Sequence, residues 1–498
     1  MRLHIKCGGS SLGNQMYRDK AQSKRERTSN RRMSQVLTGN SESTMTKEVT
    51  RPQPGEPRGK VRSLRARQAT LSIIDQVQSV GGVFLVNVAL ARTVSKPEYG
   101  LFTLAYSVFT FLSGLHNAAL LEVYTVYGAG RYRERHSAYL WLIWRSNAIL
   151  GLLLTMALPL IWLIFRWISP GFGSRPLLGV GLTSAIMLTA ALVRRSFYVE
   201  KRPGAAAMFS FCFLVAVIAA LWLSIRGGFL NGLSAFLIVA IAWTVAGIVL
   251  MRYLPQRTNL FSFREAAPHY WKEHWRYSRW VLATAAIFQL TTQGYYWIVA
   301  AFLSLKEVAE LRAMYMLISP VDQLFTAINL LVLPLLASAY ASGKLANFRS
   351  AWKRYMGTFL LISVSYGGLC LLGGRGLVHA IYNGKFDAVA PLFSAMCLLP
   401  VIVGLGNSMN AALKALERPN SVFWAYAASA TATILIGMPL VIHFGLRGAV
   451  FGLWTSGTAY TIVLWMQFRS FAGGESVAGV TRPAQLPRER VSTEVHCE

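Results

Sequence analysis

Apolar stretches about as long as a lipid bilayer is thick recur along most of this sequence. A helix needs about 20 mainly apolar residues to cross the hydrocarbon core, and backbone groups inside lipid must find their hydrogen-bond partners within the protein. Runs of that length lie at about 70–92, 101–127, 138–165, 177–198, 204–225, 229–252, 277–303, 311–340, 354–373, 388–412, 421–443 and 446–468. The pattern predicts an all-α integral membrane protein with about twelve transmembrane helices.

The composition supports a membrane protein and argues against nucleic-acid binding. Only 14% of the residues are charged, whereas a soluble protein carries about 25%. The net charge is +29, but sixteen of the fifty Lys and Arg fall before residue 68, and many others lie at the ends of apolar runs. The five cysteines show no CxxC spacing, so the sequence predicts no disulfide framework, metal site, redox role or cofactor.

The two ends of the chain have the composition of disordered tails. Residues 1–67 are polar and basic and cannot bury enough apolar surface to fold. We expect a disordered basic cytosolic tail there, and a second cytosolic tail at 471–498. Contact of the first tail with anionic lipid head groups is an alternative. Met33 and Met45 also leave open a later start.

Loop charges predict the orientation in the membrane. Loops after the even-numbered runs carry more Lys and Arg than the other loops do, as in the segment with Arg131, Arg133 and Arg135. Since cytosolic loops are enriched in Lys and Arg, both termini are predicted to lie in the cytosol.

Two pairs of similar segments indicate an internal repeat. "SKPEYGLFTLAY" from Ser95 is similar to "SLKEVAELRAMY" from Ser304, and "EKRPGAAAMFSF" is similar to "LERPNSVFWAYA". The repeat predicts two six-helix bundles, at 68–254 and 277–470, joined by a cytosolic linker at 255–276. An even number of helices gives both bundles the same orientation.

Ionisable residues at membrane depth are costly, which makes each one a candidate functional residue. Counting from the predicted helix ends places Asp75, Glu122 and Arg145 at one depth, about 8–12 Å from the cytosolic surface. We therefore expect an acid–Arg–acid cluster centred on an Asp75–Arg145 pair. Two interpretations of Asp75 stay open: a structural ion pair, or a protonation or substrate-contact site whose replacement by Asn abolishes transport. Glu122 has the alternative of reaching the cytosolic rim.

A second group of candidates lies on polar stripes of later helices. Asp322 and Asn117 each belong to a set of polar residues spaced by three and four, which share one helix face. Gln289 and Gln293 share a face of the seventh helix. Such stripes either line an aqueous path for substrate or ion, or join helices by hydrogen bonds.

One long segment resembles a known transporter family. "DQVQSVGGVFLVNVALARTVSKPEYGLFTLAYSVFTFLSGLHNAALLE" is similar to the start of polysaccharide flippases of the multidrug/oligosaccharidyl-lipid/polysaccharide (MOP) superfamily, and "IYNGKFDAVAPLF" resembles their later helices. The resemblance covers about residues 68–470. It implies a two-lobed, MATE-like transporter in the bacterial inner membrane. Such a protein moves lipid-linked oligosaccharides for O-antigen, lipopolysaccharide or other polysaccharide synthesis by alternating access.

The resemblance also implies partners and raises a question of charge. The partners would be a lipid-linked glycan, membrane lipid and other polysaccharide assembly proteins, with the chain itself acting as a monomer. Flippases of pyrophosphate-linked glycans are expected to have cationic cavities, yet here the cations concentrate at the cytosolic rim. The rim candidates are Arg194, Arg195, Arg276 and Arg279. They either capture pyrophosphate or reflect the ordinary charge bias of cytosolic loops.

Three other functions compete with a flippase. A membrane enzyme would need a polar constellation on a loop, and the short external loops carry no DxD, HxxxE or GxSxG motif. A multidrug exporter of the same superfamily, driven by protons or Na⁺, is the main alternative, because Asp75 suits it. A non-transporting scaffold is the third.

Overall fold

A computed structural model of the chain describes residues 58–129, 132, 136–168, 175–251, 267–341, 345–416 and 418–474. These residues are almost entirely helical, and no β-strand occurs among them. Most of both predicted tails and of the predicted linker lies outside the described residues, so those assignments stay predictions.

The first six helices coincide with the first six predicted runs. They are α1 (Arg58–Thr93), α2 (Lys96–His116, continued by a π-helical turn at Asn117–Leu121 and by Glu122–Ala129), α3 (His136–Ile168), α4 (Arg175–Val199), α5 (Pro203–Arg226) and α6 (Gly232–Val249).

The next six helices coincide with the remaining runs. They are α7 (Ala267–Phe302), α8 (Leu305–Ala341), α9 (Leu345–Tyr382), α10 (Ala390–Met396 and Leu399–Ala415), α11 (Pro419–Ala432, then a π-helical turn at Thr433–Gly437) and α12. The backbone from Met438 to Gly474 is broken at Gly445, whose φ of 60° and ψ of −136° are not helical. We therefore assign 438–444 to α11 and 446–474 to α12.

Nine helical spans in the described residues are long and apolar enough to cross a membrane, and the last of them, Asn420–Ser470, covers both α11 and α12. Helices α7 and α8 are not among the nine. The described residues thus form a multi-pass membrane protein, as predicted.

Within each predicted set of six helices, several helices pack on one another. In the first set α4 packs on α3 and α6, and α5 packs on α6; in the second set α10 packs on α9 and α12, and α11 packs on α12. The first bundle is filled by aromatic contacts such as Phe213 stacked on Trp243 at 3.8 Å. A Cβ on Gly82 of α1 would lie 2.5 Å from the Phe213 ring, so glycine allows α1 to pack closely here.

Helix α2 connects the two bundles by packing on α7 and α8. Its N-terminus is fixed by Ser95, whose hydroxyl accepts the backbone N–H of Glu98. A Cβ on Gly100 would lie 1.9 Å from the Leu305 carbonyl, so the starts of α2 and α8 touch. We call this end of the molecule, with the α1–α2 and α7–α8 turns, the outer end, because the loop charges predict that it faces away from the cytosol. The opposite end is the inner end.

Candidate functional site

Asp75 is buried inside the first bundle, where four donor atoms surround it. Arg194 of α4 binds the carboxylate with two nitrogens, at 2.7 Å (Nη2 to Oδ2) and 3.3 Å (Nε to Oδ1). The hydroxyl of Tyr198 donates to Oδ2 at 2.6 Å, and that of Ser210 on α5 donates to Oδ1. The side chain of Asp75 is 0% exposed. Asp75 therefore ties α1 to α4 and α5, with its charge and hydrogen bonds satisfied.

The predicted partner Arg145 is not at this site. It is exposed on α3, and its guanidinium lies 5.6 Å from the Trp141 ring centre. The buried polar residue on this part of α3 is Asn147, which bonds to His116 at 2.8 Å and to Thr189 at 2.9 Å. Two residues correspond to about 200° of rotation on a helix. Since Asn147 faces inward, Arg145 faces outward, and the predicted Asp75–Arg145 pair does not form.

Glu122, the third member of the predicted acid–Arg–acid cluster, is also apart from Asp75. Glu122 is exposed near the inner end of α2, which agrees with the alternative that it reaches the rim. Arg195 points to α2, where its Nη2 donates to the side-chain oxygen of Asn117 at 2.9 Å. Asn117 begins the π-helical turn of α2. Arg194 and Arg195, both predicted as rim residues, thus bind buried or half-buried partners within the first bundle.

The remaining rim candidates lie on the first turns of α7. Arg276 and Arg279 are exposed, and the Arg279 guanidinium lies 5.6 Å from the Trp280 ring centre. The opposite face of the same turns packs on the first bundle through His274, which bonds to the Tyr139 hydroxyl at 2.8 Å. Arg276 and Arg279 therefore face away from the first bundle.

Of the two glutamines predicted on α7, Gln289 lies against α2, and Gln293 is linked to it through Thr292. A Cβ on Gly114 of α2 would lie 1.8 Å from Nε2 of Gln289, so Gln289 packs against the α2 backbone. Thr292 donates to Oε1 of Gln289 at 3.3 Å, and Gln293 donates to Thr292 at 3.5 Å. This part of α7 is a polar contact with the first bundle.

Asp322 is a carboxylate near the middle of α8, facing few polar partners. Its side chain accepts one hydrogen bond in the described structure, from the Tyr315 hydroxyl at 3.1 Å. None of the described Lys, Arg or His residues forms an ion pair with it. The adjacent Gln323 accepts a hydrogen bond from Gln76 at 3.3 Å, and Gln76 in turn accepts one from Arg194. A chain of side chains thus joins the ion pair of the first bundle to α8, next to Asp322.

Arg312 of α8 is a cation between the bundles that the sequence analysis missed. It is 9% exposed and lies about 10 Å along α8 from Leu305. Its Nε and Nη2 each donate to the side-chain oxygen of Asn87 on α1 at 3.3 Å. Its guanidinium lies 4.9 Å from the ring centre of Tyr106 on α2 and 5.9 Å from that of Tyr296 on α7.

No carboxylate among the described residues forms an ion pair with Arg312. The nearby acid Glu310 is bound instead to Lys96, at 2.8 Å. A guanidinium at this depth is costly unless it is paired. The hydrogen bonds that Arg312 donates to one amide oxygen, and the faces of two aromatic rings, compensate only part of that cost. The site therefore has one positive charge in excess, at the meeting point of α1, α2, α7 and α8.

Solved structures with a similar fold include transporters described as members of the MOP superfamily. A multidrug resistance MATE family transporter in an inward-facing conformation has a TM-score of 0.60 and 14% identity, over 82% of this chain and 96% of that chain. The lipid II flippase MurJ, in an inward closed conformation, has a TM-score of 0.64 and 15% identity, over 80% of this chain and 87% of that chain.

A third structure, a MOP superfamily transporter from Pyrococcus furiosus whose binding pocket is described as having reversed polarity, has a TM-score of 0.57 and 14% identity, over 83% of this chain and 96% of that chain. No protein-family model matches the sequence, and no curated protein does. These likenesses establish that the chain has the fold of these transporters and of the MurJ flippase.

Proposed function

We propose that this protein flips polyprenyl-linked oligosaccharides across the bacterial inner membrane by alternating access between its two bundles, as a step in polysaccharide or O-antigen synthesis. The glycan head group would pass between the bundles while the polyprenyl chain stays in lipid. The MOP-type fold and the helix packing across α2 support the transport part of this proposal. The chemistry of the residues between the bundles supports the choice of substrate.

The observation that carries the choice is the unpaired positive charge of Arg312. Arginine binds phosphate oxygens with two parallel hydrogen bonds, and such charge-assisted bonds are stronger than neutral ones. Glu310 does not neutralise Arg312, because it is already bound to Lys96. A pyrophosphate-linked substrate would supply the negative charge instead. A cationic drug would be repelled at the same place. The excess charge therefore favours an anionic head group.

Transport by the purified protein in vesicles tests the proposal. Fluorescent polyprenyl-pyrophosphate oligosaccharide on one leaflet should move to the other, where a membrane-impermeant lectin or glycosidase detects it. A quaternary ammonium dye should not be transported. Movement of the dye but not of the glycan lipid would overturn the proposal in favour of a multidrug exporter.

A cation-coupled multidrug exporter is the second candidate, and Asp322 favours it. A carboxylate without a bound cation at the middle of a membrane helix is suited to take up a proton or a cationic ligand. In an exporter this charge would bind the drug or the coupling ion directly.

Replacing Asp322 by Asn separates the two candidates. If the protein is a flippase that recognises pyrophosphate through Arg312, D322N should keep binding of the glycan lipid within about threefold of the wild type, because Asp322 does not form an ion pair with Arg312. A multidrug exporter should lose binding of a cationic drug by tenfold or more, since removing a charged partner costs roughly 1.5–3 kcal/mol. Fluorescence titration of both ligands measures the difference, and D387N, at an exposed acid bound to His379, is the control.

A further inference from the structure

At the outer end, cationic side chains near the C-terminal ends of α1 and α9 bind each other's backbone carbonyls across the boundary between the bundles. Arg92, in the last turn of α1, donates from Nε to the carbonyl of Ile381 at 2.5 Å and from Nη2 to that of Ala380 at 2.6 Å. Lys385, which follows α9, donates from Nζ to two carbonyls at the end of α1, one of them that of Ala91 at 2.9 Å. Each bundle thus supplies the cation that binds the carbonyl end of a helix in the other.

These contacts satisfy C-terminal carbonyls that have no hydrogen-bond donor within their own helix. The last four carbonyls of a helix lack partners within it. After α9 the local turn supplies backbone donors to two of them, those of His379 and Tyr382. The other two are the carbonyls that Arg92 binds. A cation at a helix C-terminus also interacts favourably with the helix dipole, by about 0.3–1 kcal/mol.

The turn after α9 is built to present Lys385. Asn383 and Gly384 have φ angles of 51° and 80°, in the left-handed region that Asn and Gly adopt most readily. The segment "YNGKF" therefore ends α9 and reverses the chain. The next residue, Lys385, then lies against the end of α1.

A third contact crosses the same boundary. Lys96 of α2 forms the 2.8 Å ion pair with Glu310 of α8, and its Nζ lies 5.1 Å from the ring centre of Phe386. Burial and, after it, the charge of Lys96 lower the pKa of Lys385, whereas the charge of Glu98 raises it. The two ammonium groups repel each other, and Glu98 offsets part of that repulsion. The carbonyls and Glu310 offset this repulsion only while the two bundles are in contact.

We infer that Arg92 and Lys385 form a reversible latch that keeps the outer end closed until transport opens it. Because Arg92 is exposed, water can replace the cations on the helix carbonyls as the bundles separate. A purely apolar contact between the bundles could not be replaced by water in this way. The inference rests on the proposed alternating access, in which the outer end opens once in every cycle.

Distance measurements between the two bundles test the latch. Spin labels at F229C on the first bundle and F444C on the second, both exposed near the outer end, report its opening in nanodiscs after the native cysteines are replaced. Each single change, R92Q or K385Q, should raise the ratio of open to closed molecules by about threefold, and the double change by about tenfold. The control K306Q removes an exposed cation at the same end and should leave the distances unchanged.

Charge-retaining variants separate the latch from a general loss of packing. R92K and K385R keep a cation at each helix end, so their distance distributions should stay closed. The inference is wrong if the double Gln variant matches K306Q, or if the charge-retaining variants open as far as the Gln variants. The measurement contains no substrate. If the Gln variants open the outer end but the wild-type protein transports no glycan lipid, the proposed function is wrong and the latch is still supported.

Discussion

Replacing Arg312 by Gln is expected to slow flipping of a pyrophosphate-linked oligosaccharide by about 10- to 100-fold, the equivalent of one lost charged hydrogen-bond contact. The same change should leave thermal stability unchanged or raise it, because it removes a buried charge that no carboxylate neutralises in the described residues. Vesicle transport and thermal unfolding of the same preparations measure the two effects. A loss of function without a loss of stability is typical of residues held for ligand binding.

Arg145 provides a matched control for Arg312. Both arginines lie over aromatic rings, but Arg145 is on the exposed side of α3 and Arg312 lies between the bundles. R145Q should therefore transport normally. R312K should keep partial activity, since an ammonium retains the charge but not the two parallel bonds of a guanidinium. Equal transport by R312Q and R145Q would exclude Arg312 as the phosphate ligand.

The sequence predicted the number and order of the helices because hydropathy depends on residues close together in the chain. Each of the twelve apolar runs coincides with a helix in the part of the chain that the structure describes, since lipid leaves the backbone few other solutions. The start of α2 at Lys96 lies before the predicted run, and Ser95 with the following Pro and Glu is a helix-start pattern that could have indicated it.

The identity of the buried partners could not be read in the same way. Counting residues gives the depth of Arg145 but not its direction around the helix axis, and the buried Asn147 shows that Arg145 faces outward. Arg194, the actual partner of Asp75, was assigned to the rim because it lies near the end of an apolar run. Polar residues on a helix indicate a buried face only when neighbouring helices are known.

Arg312 was missed because the apolar run began at residue 311. The helix itself starts at Leu305, which places Arg312 two turns inside α8 rather than at its end. The similarity between the segments from Ser95 and Ser304 contained a useful signal. It aligns the starts of α2 and α8, and it thereby places Glu310 and Arg312 within the first turns of a helix rather than in a loop.

Removing Arg194 is expected to destabilise the protein far more than removing both members of its ion pair. R194Q leaves Asp75 as a carboxylate with 0% exposure and no cation, and breaking a buried pair in this way costs about 3–5 kcal/mol. D75N should cost less, because the Arg194 side chain is 20% exposed and can reach water, and because Tyr198 and Ser210 can still bond to an amide. The double variant D75N/R194Q should be the most stable of the three. Chemical unfolding in nanodiscs measures this order.

The same variants decide between the two roles of Asp75. If Asp75 has only a structural role, its variants should change stability in the order above and nothing else. D75N/R194Q should then transport glycan lipid at close to the wild-type rate. A protonation site needs the carboxylate itself, so D75N and the double variant would both be inactive while remaining folded. The exposed pair Glu200–Arg202, at 3.4 Å, serves as the control, since surface pairs contribute about 0–1 kcal/mol and E200Q should change neither stability nor transport. The four donor atoms around a fully buried Asp75 favour the structural role, because a group that must release and regain a proton in each cycle needs a path to water.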